Sequence, residues 1–302
     1  MVHGVGEALL ARARAAGCVS IAVIGTSKNA GKSVVTAELC EALRRAQVPF
    51  GLCSIGRDGE ATDAIDRAPK PRFYLRSGAL IATAATLLPR SPALEIVGHT
   101  GETSALGPIV LGAVRAPGYF EIAGPPQADA LRRVARLLGA RTPFVLIDGA
   151  VDRIAALRDG SDAIVVAVGA AGAPAIGRAL DDVAALVGRL GLQPADPERE
   201  AVRVAGALGA VAAAEFARAG ERRQIVVRDG TRLTFGGRTF LELAARLDLR
   251  CERRLRPIAC TVAPSGGGRF FEPLTFARAV AQRTGLPTYD VYAQTLAEAG
   301  AA

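Results

Sequence analysis

The chain has 302 residues, half of them apolar, a net charge of +8 and five cysteines. That is enough for one large or two smaller α/β domains with a substantial core; no uninterrupted apolar run is long enough to span a bilayer, and no C-x-x-C pair offers a zinc or redox site. Only Lys28, Lys32 and Lys70 are lysines, so the basicity is almost all arginine in an Ala/Arg/Gly-rich chain, and without basic runs interleaved with aromatics it is poor evidence for nucleic-acid binding, which is not expected.

Tryptophan is absent and aromatics are few, so Ala, Val, Leu and Ile must build the core, which suits a parallel sheet covered by helices. The odd cysteine count, with no signal-peptide pattern, points to a reducing cytoplasm. Cys18, Cys53 and Cys260 stand in or beside apolar strand-like runs, where cysteine acts as a small hydrophobe.

A short helix is predicted over Glu7–Ala16 and a buried strand over Val19–Ile24. Gly25-Thr26-Ser27-Lys28-Asn29-Ala30-Gly31-Lys32-Ser33 follows, and helical periodicity runs from Val34 to about Arg45. Strand, glycine-bearing loop, Gly-Lys-Ser and helix form the layout of a phosphate-binding P-loop (Walker A). Backbone N–H groups at a helix start attract phosphate, and the helix dipole adds partial positive charge. Gly31 permits close approach, Lys32 would reach the β/γ-phosphates, and the Ser33 hydroxyl would ligate Mg²⁺. The nucleotide-binding set is Gly25 through Val34. The first glycine, Gly25, sits one residue earlier than the usual spacing, which falls on Thr26.

A second strand is predicted over Phe50–Ile55, ending in Gly56-Arg57-Asp58-Gly59-Glu60. A carboxylate at the carboxyl end of such a strand can face the phosphates, so Asp58 is a candidate catalytic residue and magnesium ligand, with Glu60 second. The alternative is an ordinary Asp-Gly turn. Residues 61–123 read as a β-rich insert. Within it, Ala79–Leu88 reads as a helix, Ala93–Val97 as a strand, and Pro108–Val114 with Tyr119–Ala123 as a hairpin. His99, Thr100, Glu102 and Glu121 are its candidate polar groups for a second substrate.

Alternation then resumes with a helix over Asp129–Leu138 and a strand over Pro143–Ile147 that ends in Asp148-Gly149-Ala150. An aspartate closing a buried strand after a P-loop is the Walker B layout, so Asp148 is the second catalytic and metal candidate beside Lys32 and Ser33. A buried strand at Ala163–Val168 ends in Gly169-Ala170-Ala171-Gly172, and a helix covers Ala175–Leu190. The Pro- and charge-rich stretch Leu192–Arg199 marks a boundary between a nucleotide-binding domain, 1–192, and an α/β C-terminal portion, 200–302, expected to pack on the same sheet. There the pattern predicts a strand at Ala201–Ala205, helices at Ala210–Ala219, Phe240–Leu247 and Leu274–Arg283, and strands at Ile258–Ala263 and Thr288–Tyr292. A hairpin is predicted through Gln224–Val227 and Arg232–Phe235, turning at Asp229-Gly230. Ser265–Arg269 reads as a phosphate nest or a flexible surface loop.

The loop at Val19–Thr36 resembles that of dethiobiotin synthetase and its relatives, in the branch of P-loop NTPases that also holds MinD-like ATPases and metal and cobalamin chaperones. The resemblance implies a mostly parallel twisted sheet with helices on both faces, an acidic residue followed by Gly-Ala at the position of Asp148, and often a homodimer with nucleotides near the interface. Branch members often carry a second lysine five residues before the main one. That position is Ser27 here, so the trans-acting role is not carried over to Lys28. Accessory proteins that reactivate cobalamin-dependent aminomutases have a similar G-T-S-K-N-x-G-K loop. No Asn-Lys-x-Asp tetrad occurs, so ATP is expected rather than GTP. Two functions compete. One is a Mg-ATP-dependent ATPase that acts on a partner protein. The other is an ATP-dependent small-molecule synthetase resembling dethiobiotin synthetase.

Overall fold

A computed structural model describes residues 4–55, 72–88, 93–149 and 162–293. Asp58, Glu60 and Ala150 lie outside the described residues. The chain divides into two compact units, Met1–Ile24 with Lys32–Ser161, and Gly25–Gly31 with Asp162–Ala302.

The first unit is an α/β layer. Helix α1 (Val5–Ala15) packs on α2 (Lys32–Arg45), between which runs β1 (Ser20–Gly25). Then follow β2 (Phe50–Ser54), β3 (Arg72–Leu75), β4 (Ala79–Ala84), β5 (Leu94–Ser104), β6 (Gly107–Val114), β7 (Gly118–Glu121), α3 (Ala128–Gly139) and β8 (Phe144–Asp148). The hydrogen-bonded order is β1-β8-β2-β4-β6-β5. The first four strands are parallel, and β6 and β5 extend them antiparallel. Ile21, Val23, Leu52, Ile81 and Leu146 have no accessible surface, the continuous apolar pattern of strands covered on both sides. α3 packs against β2, where Gly51 leaves room for Leu138: a β-carbon on Gly51 would stand 2.8 Å from that of Leu138.

Two expectations fail here. Ala79–Leu88 is not a helix but strand β4 followed by a short 3₁₀ turn, Ala85–Leu87. All six β4 residues are buried between β2 and β6, and a short apolar run looks the same in a buried strand and a buried helix. The hairpin predicted across Arg115–Gly118 is also absent. β6 instead makes its hairpin with β5, while β7 pairs with β3 and sets buried Phe120 opposite buried Phe73. Buried Thr83 fixes the end of β7, donating to the Glu121 carbonyl at 2.9 Å and accepting from the Ala123 N–H at 2.9 Å.

The second unit contains β9 (Asp162–Gly169), α4 (Ile176–Leu190), β10 (Ala201–Arg203), α5 (Ala210–Arg218), β11 (Gln224–Val227), α6 (Gly237–Ala244), β12 (Leu249–Cys251), β13 (Arg256–Ala263), β14 (Ser265–Gly266), β15 (Arg269–Phe270), α7 (Pro273–Thr284) and β16 (Thr288–Asp290). β16, β13 and β9 run parallel. β10, β11 and β12 form a separate parallel sheet around a core that includes Leu208, Ile225, Leu233 and Phe240. Parallel pairing excludes the hairpin expected at Gln224–Phe235. β11 is buried throughout, as a central parallel strand must be. Asp229 makes no hairpin turn: its carboxylate caps a 3₁₀ turn through the Thr231 N–H and pairs with Arg253 at 2.6 Å.

Among the described residues no helix is long and apolar enough to cross a membrane.

Candidate functional site

β1 delivers the chain to the glycine-bearing loop. The Thr26 N–H donates to the Ala167 carbonyl at 2.9 Å, and Ala30 is buried. Two loop residues take left-handed backbone, Asn29 at φ 58° and Gly31 at φ 89°. Gly31 needs its freedom in a second way, since a β-carbon there would stand 3.2 Å from that of Ala263.

The loop rests on the turn that follows β9. A β-carbon on Gly172 would stand 2.0 Å from Ser27 Oγ and 2.3 Å from Ser27 Cβ, and one on Gly169 would stand 2.8 Å from Ala30 Cα. The turn can lie this close only because both positions lack side chains. Arg269 reaches the same turn from β15 and donates to the Ala171 carbonyl at 3.3 Å.

The Gly31–Lys32 peptide bond carries the chain into α2. Lys32 and Ser33 open the helix, whose first turn holds no acidic residue. Lys32, Ser33 and Val34 are all half-buried. Asp148 closes β8, in register with Val23 of β1 on one side and Ser54 of β2 on the other. Three parallel strands thus end together with Asp148 in the middle, and Ile55 N–H donates to its carbonyl at 3.0 Å. Ligands gather at such carboxyl ends.

The electrostatics of the pair follow from withdrawal from water. Burial pulls the Lys32 ammonium below its usual range, partly offset by the charge of Asp148. Burial also pushes the Asp148 carboxyl up to about 6, opposed by Lys32 and by a hydrogen bond from Thr36. Thr36, fully buried one turn into α2, lies 3.3 Å from Asp148 Oδ1 and 3.1 Å from the Lys32 carbonyl. Sequence reading passed over Thr36; its signal is a hydroxyl four residues after the lysine, on the same face of the helix.

No protein-family model, no curated protein and no solved structure matches this chain.

The polar groups expected to bind a second substrate have other partners. Glu102 is ion-paired with Arg133. Glu121 accepts from Arg72 at 3.0 Å across the β3–β7 ribbon. Thr100 donates to the Ile109 carbonyl at 2.7 Å, and His99 lies in β5 opposite Val110. Glu102 ties β5 to α3, Glu121 ties β7 to β3 and Thr100 ties β5 to β6, and the structure does not gather them into a cluster.

Among the described residues no three His, Cys, Asp or Glu side chains group as a metal site. What the chain offers is an aspartate at a strand end and a serine hydroxyl at a helix start. This sparse set of hard oxygen donors fits Mg²⁺, which keeps several waters and takes further oxygens from phosphates. It does not fit a metal held by protein ligands alone.

Proposed function

We propose that the chain binds Mg-ATP on the Gly25–Ser33 loop and is an ATPase that acts on a partner protein. The observation that carries this reading is Lys32 in the first turn of α2, electrostatically coupled to Asp148 at the end of the neighbouring strand, directly after a loop with left-handed backbone at Asn29 and Gly31. Left-handed residues of this kind build the concave N–H nests that bind anions.

The N–H groups of the loop and Lys32 would hold the β- and γ-phosphates. Ser33 and Asp148 would hold the magnesium, which neutralises charge between the phosphates. The chain contributes position and electrostatics and forms no covalent bond to the nucleotide. A carboxylate coordinating Mg²⁺ must be ionised, so the metal would lower the raised pKa of Asp148.

The synthetase alternative has less support, because Glu102, Glu121 and Thr100, expected in its second subsite, are engaged with Arg133 of α3, with Arg72 of β3 and with the Ile109 carbonyl of β6. Phosphate release from Mg-ATP by the purified chain, with Lys32→Ala as control, separates the two. Steady turnover that the variant lacks is the expected result. Nucleotide binding without turnover would favour the synthetase reading, and absence of both in the wild type would refute the nucleotide site.

A further inference from the structure

We propose that a cavity at the carboxyl end of α2 is a second ligand site, built for a small aryl carboxylate. Its volume is about 330 Å³, at the small end of the range of small-molecule sites. Its lining on α2 begins at Cys40, eight residues or about 12 Å along the helix from Lys32 at 1.5 Å per residue. Neither Lys32, Ser33 nor Asp148 lines it, and the proposal does not depend on what the candidate phosphate site binds.

The floor is apolar. Buried Phe50 and Leu75 line it with Val48, a surface that takes a flat hydrocarbon body and offers it no hydrogen bond.

The rim is polar and carries net positive charge. Arg44 grips both oxygens of Glu41 at 2.6 Å, and Arg45 adds a third contact to the same carboxylate at 2.9 Å. Glu41 is thus neutralised by its own helix and repels an incoming anion little. Arg76, on the opposite wall, stacks on Tyr74 at 5.3 Å and has no carboxylate partner among the described residues. Stacking on the ring leaves the guanidinium edge available, and that edge matches a carboxylate with two parallel N–H bonds. One cation left over after the internal pair selects a monoanion.

Gln47 adds a neutral polar group to the lining. It follows α2 in left-handed backbone at φ 55°, with Gln47 N–H bonded to the Arg44 carbonyl at 3.0 Å and Val48 N–H to the Leu43 carbonyl at 2.9 Å. This is the helix-ending position that glycine fills with least strain. Gln47 lines the cavity, and its side-chain amide offers N–H donors to a carboxylate bound there.

The test titrates the full chain with phenylacetate and with its neutral counterpart phenylacetamide, read by saturation-transfer NMR. Phenylacetate is expected to bind saturably with Kd on the order of 1 mM or tighter, and phenylacetamide at least about tenfold more weakly, as loss of a charge-assisted pair requires. Arg76→Gln should weaken phenylacetate by about tenfold. Gln47→Gly should weaken it severalfold while leaving thermal stability equal or higher, which separates ligand contact from folding. Lys32→Ala should leave phenylacetate binding unchanged. No saturable binding up to about ten times that Kd, equal binding of acid and amide, or full affinity in both Arg76→Gln and Gln47→Gly would each overturn the assignment.

Discussion

The glycine-bearing loops after β1 and after β13 both follow parallel strands, and they have opposite fates. The loop after β13 is richer in glycine, with Gly266, Gly267 and Gly268 all at positive φ. It folds back on itself as the two-residue ladder β14–β15. The helix that follows is already capped: the Glu272 carboxylate accepts from the Leu274 and Thr275 N–H groups at 3.1 and 2.7 Å. The protein's own anion occupies that helix start. The loop after β1 has fewer glycines but leads into Lys32 and Ser33, with no acid in the first turn of α2 and Asp148 at the adjacent strand end. Glycine content therefore does not single out the candidate phosphate loop. The charge at the following helix start is what distinguishes the two loops.

Lys32→Ala tests that contrast with the largest expected effect. Mg-ATP affinity, followed by calorimetry, should fall by about 100-fold or more while circular dichroism stays native. Unchanged affinity in a folded variant would erase the difference between the loops.

Gly172→Ala probes the support beneath the first loop. The added methyl group cannot coexist with Ser27 where it stands, so loop or turn must shift. Thermal unfolding should show a loss of about 1–3 kcal/mol, with weaker nucleotide binding. Gly268→Ala, in the second loop, meets nothing within 4 Å and adds only backbone strain at φ 72°, so nucleotide binding should be unaltered.

Asp148→Asn should reduce the magnesium dependence of nucleotide binding, and an unaltered magnesium titration would remove Asp148 from the metal's surroundings. The same variant carries a pH signature. In the fold, without nucleotide or metal, Asp148 keeps its proton up to about pH 6, against 3.8 for an ordinary aspartate. Between those values the native state binds more protons than the unfolded chain, so this residue's contribution to stability is present at low pH and is lost as pH rises through 6. Because carboxylates held below their usual range change stability in the opposite sense, the readout is the difference between wild type and Asp148→Asn: from pH 4.5 to pH 7 the wild-type urea midpoint should fall relative to the variant's.

Glu272→Ala has the smallest expected effect. Removing the α7 cap should cost about 1 kcal/mol by urea denaturation and leave nucleotide binding intact. A gain of anion binding at the vacated helix start would sharpen the comparison further.

Much of the fold was legible because its elements carry local signals. β1, β8 and β9 announce themselves as short apolar runs, and α7 by Glu272-Pro273 at its start and Gly285 at its end. The misreadings share one cause. Ala79–Ala84, the strand pairing after Arg115 and the turn at Asp229 each depend on a partner distant in sequence: β2 and β6 for the first, β3 for the second, Arg253 and the neighbouring parallel strands for the third. Periodicity reports which residues are apolar, not which strand will lie alongside.

The sequence by itself determined the α/β class, the order of the strong strands and the strand-loop-helix run from Ser20 to Arg45, because spacing, glycine and hydrophobic pattern act within a few residues. Only the tertiary structure decided that Asp148 comes into register with Val23, that Thr36 bonds it, that Gly169 and Gly172 make room for the loop, and that Glu102 pairs with Arg133 and Glu121 with Arg72. Those facts join residues from 31 to 145 positions apart, and such contacts form only when the chain buries its apolar faces and brings the ends of parallel strands together.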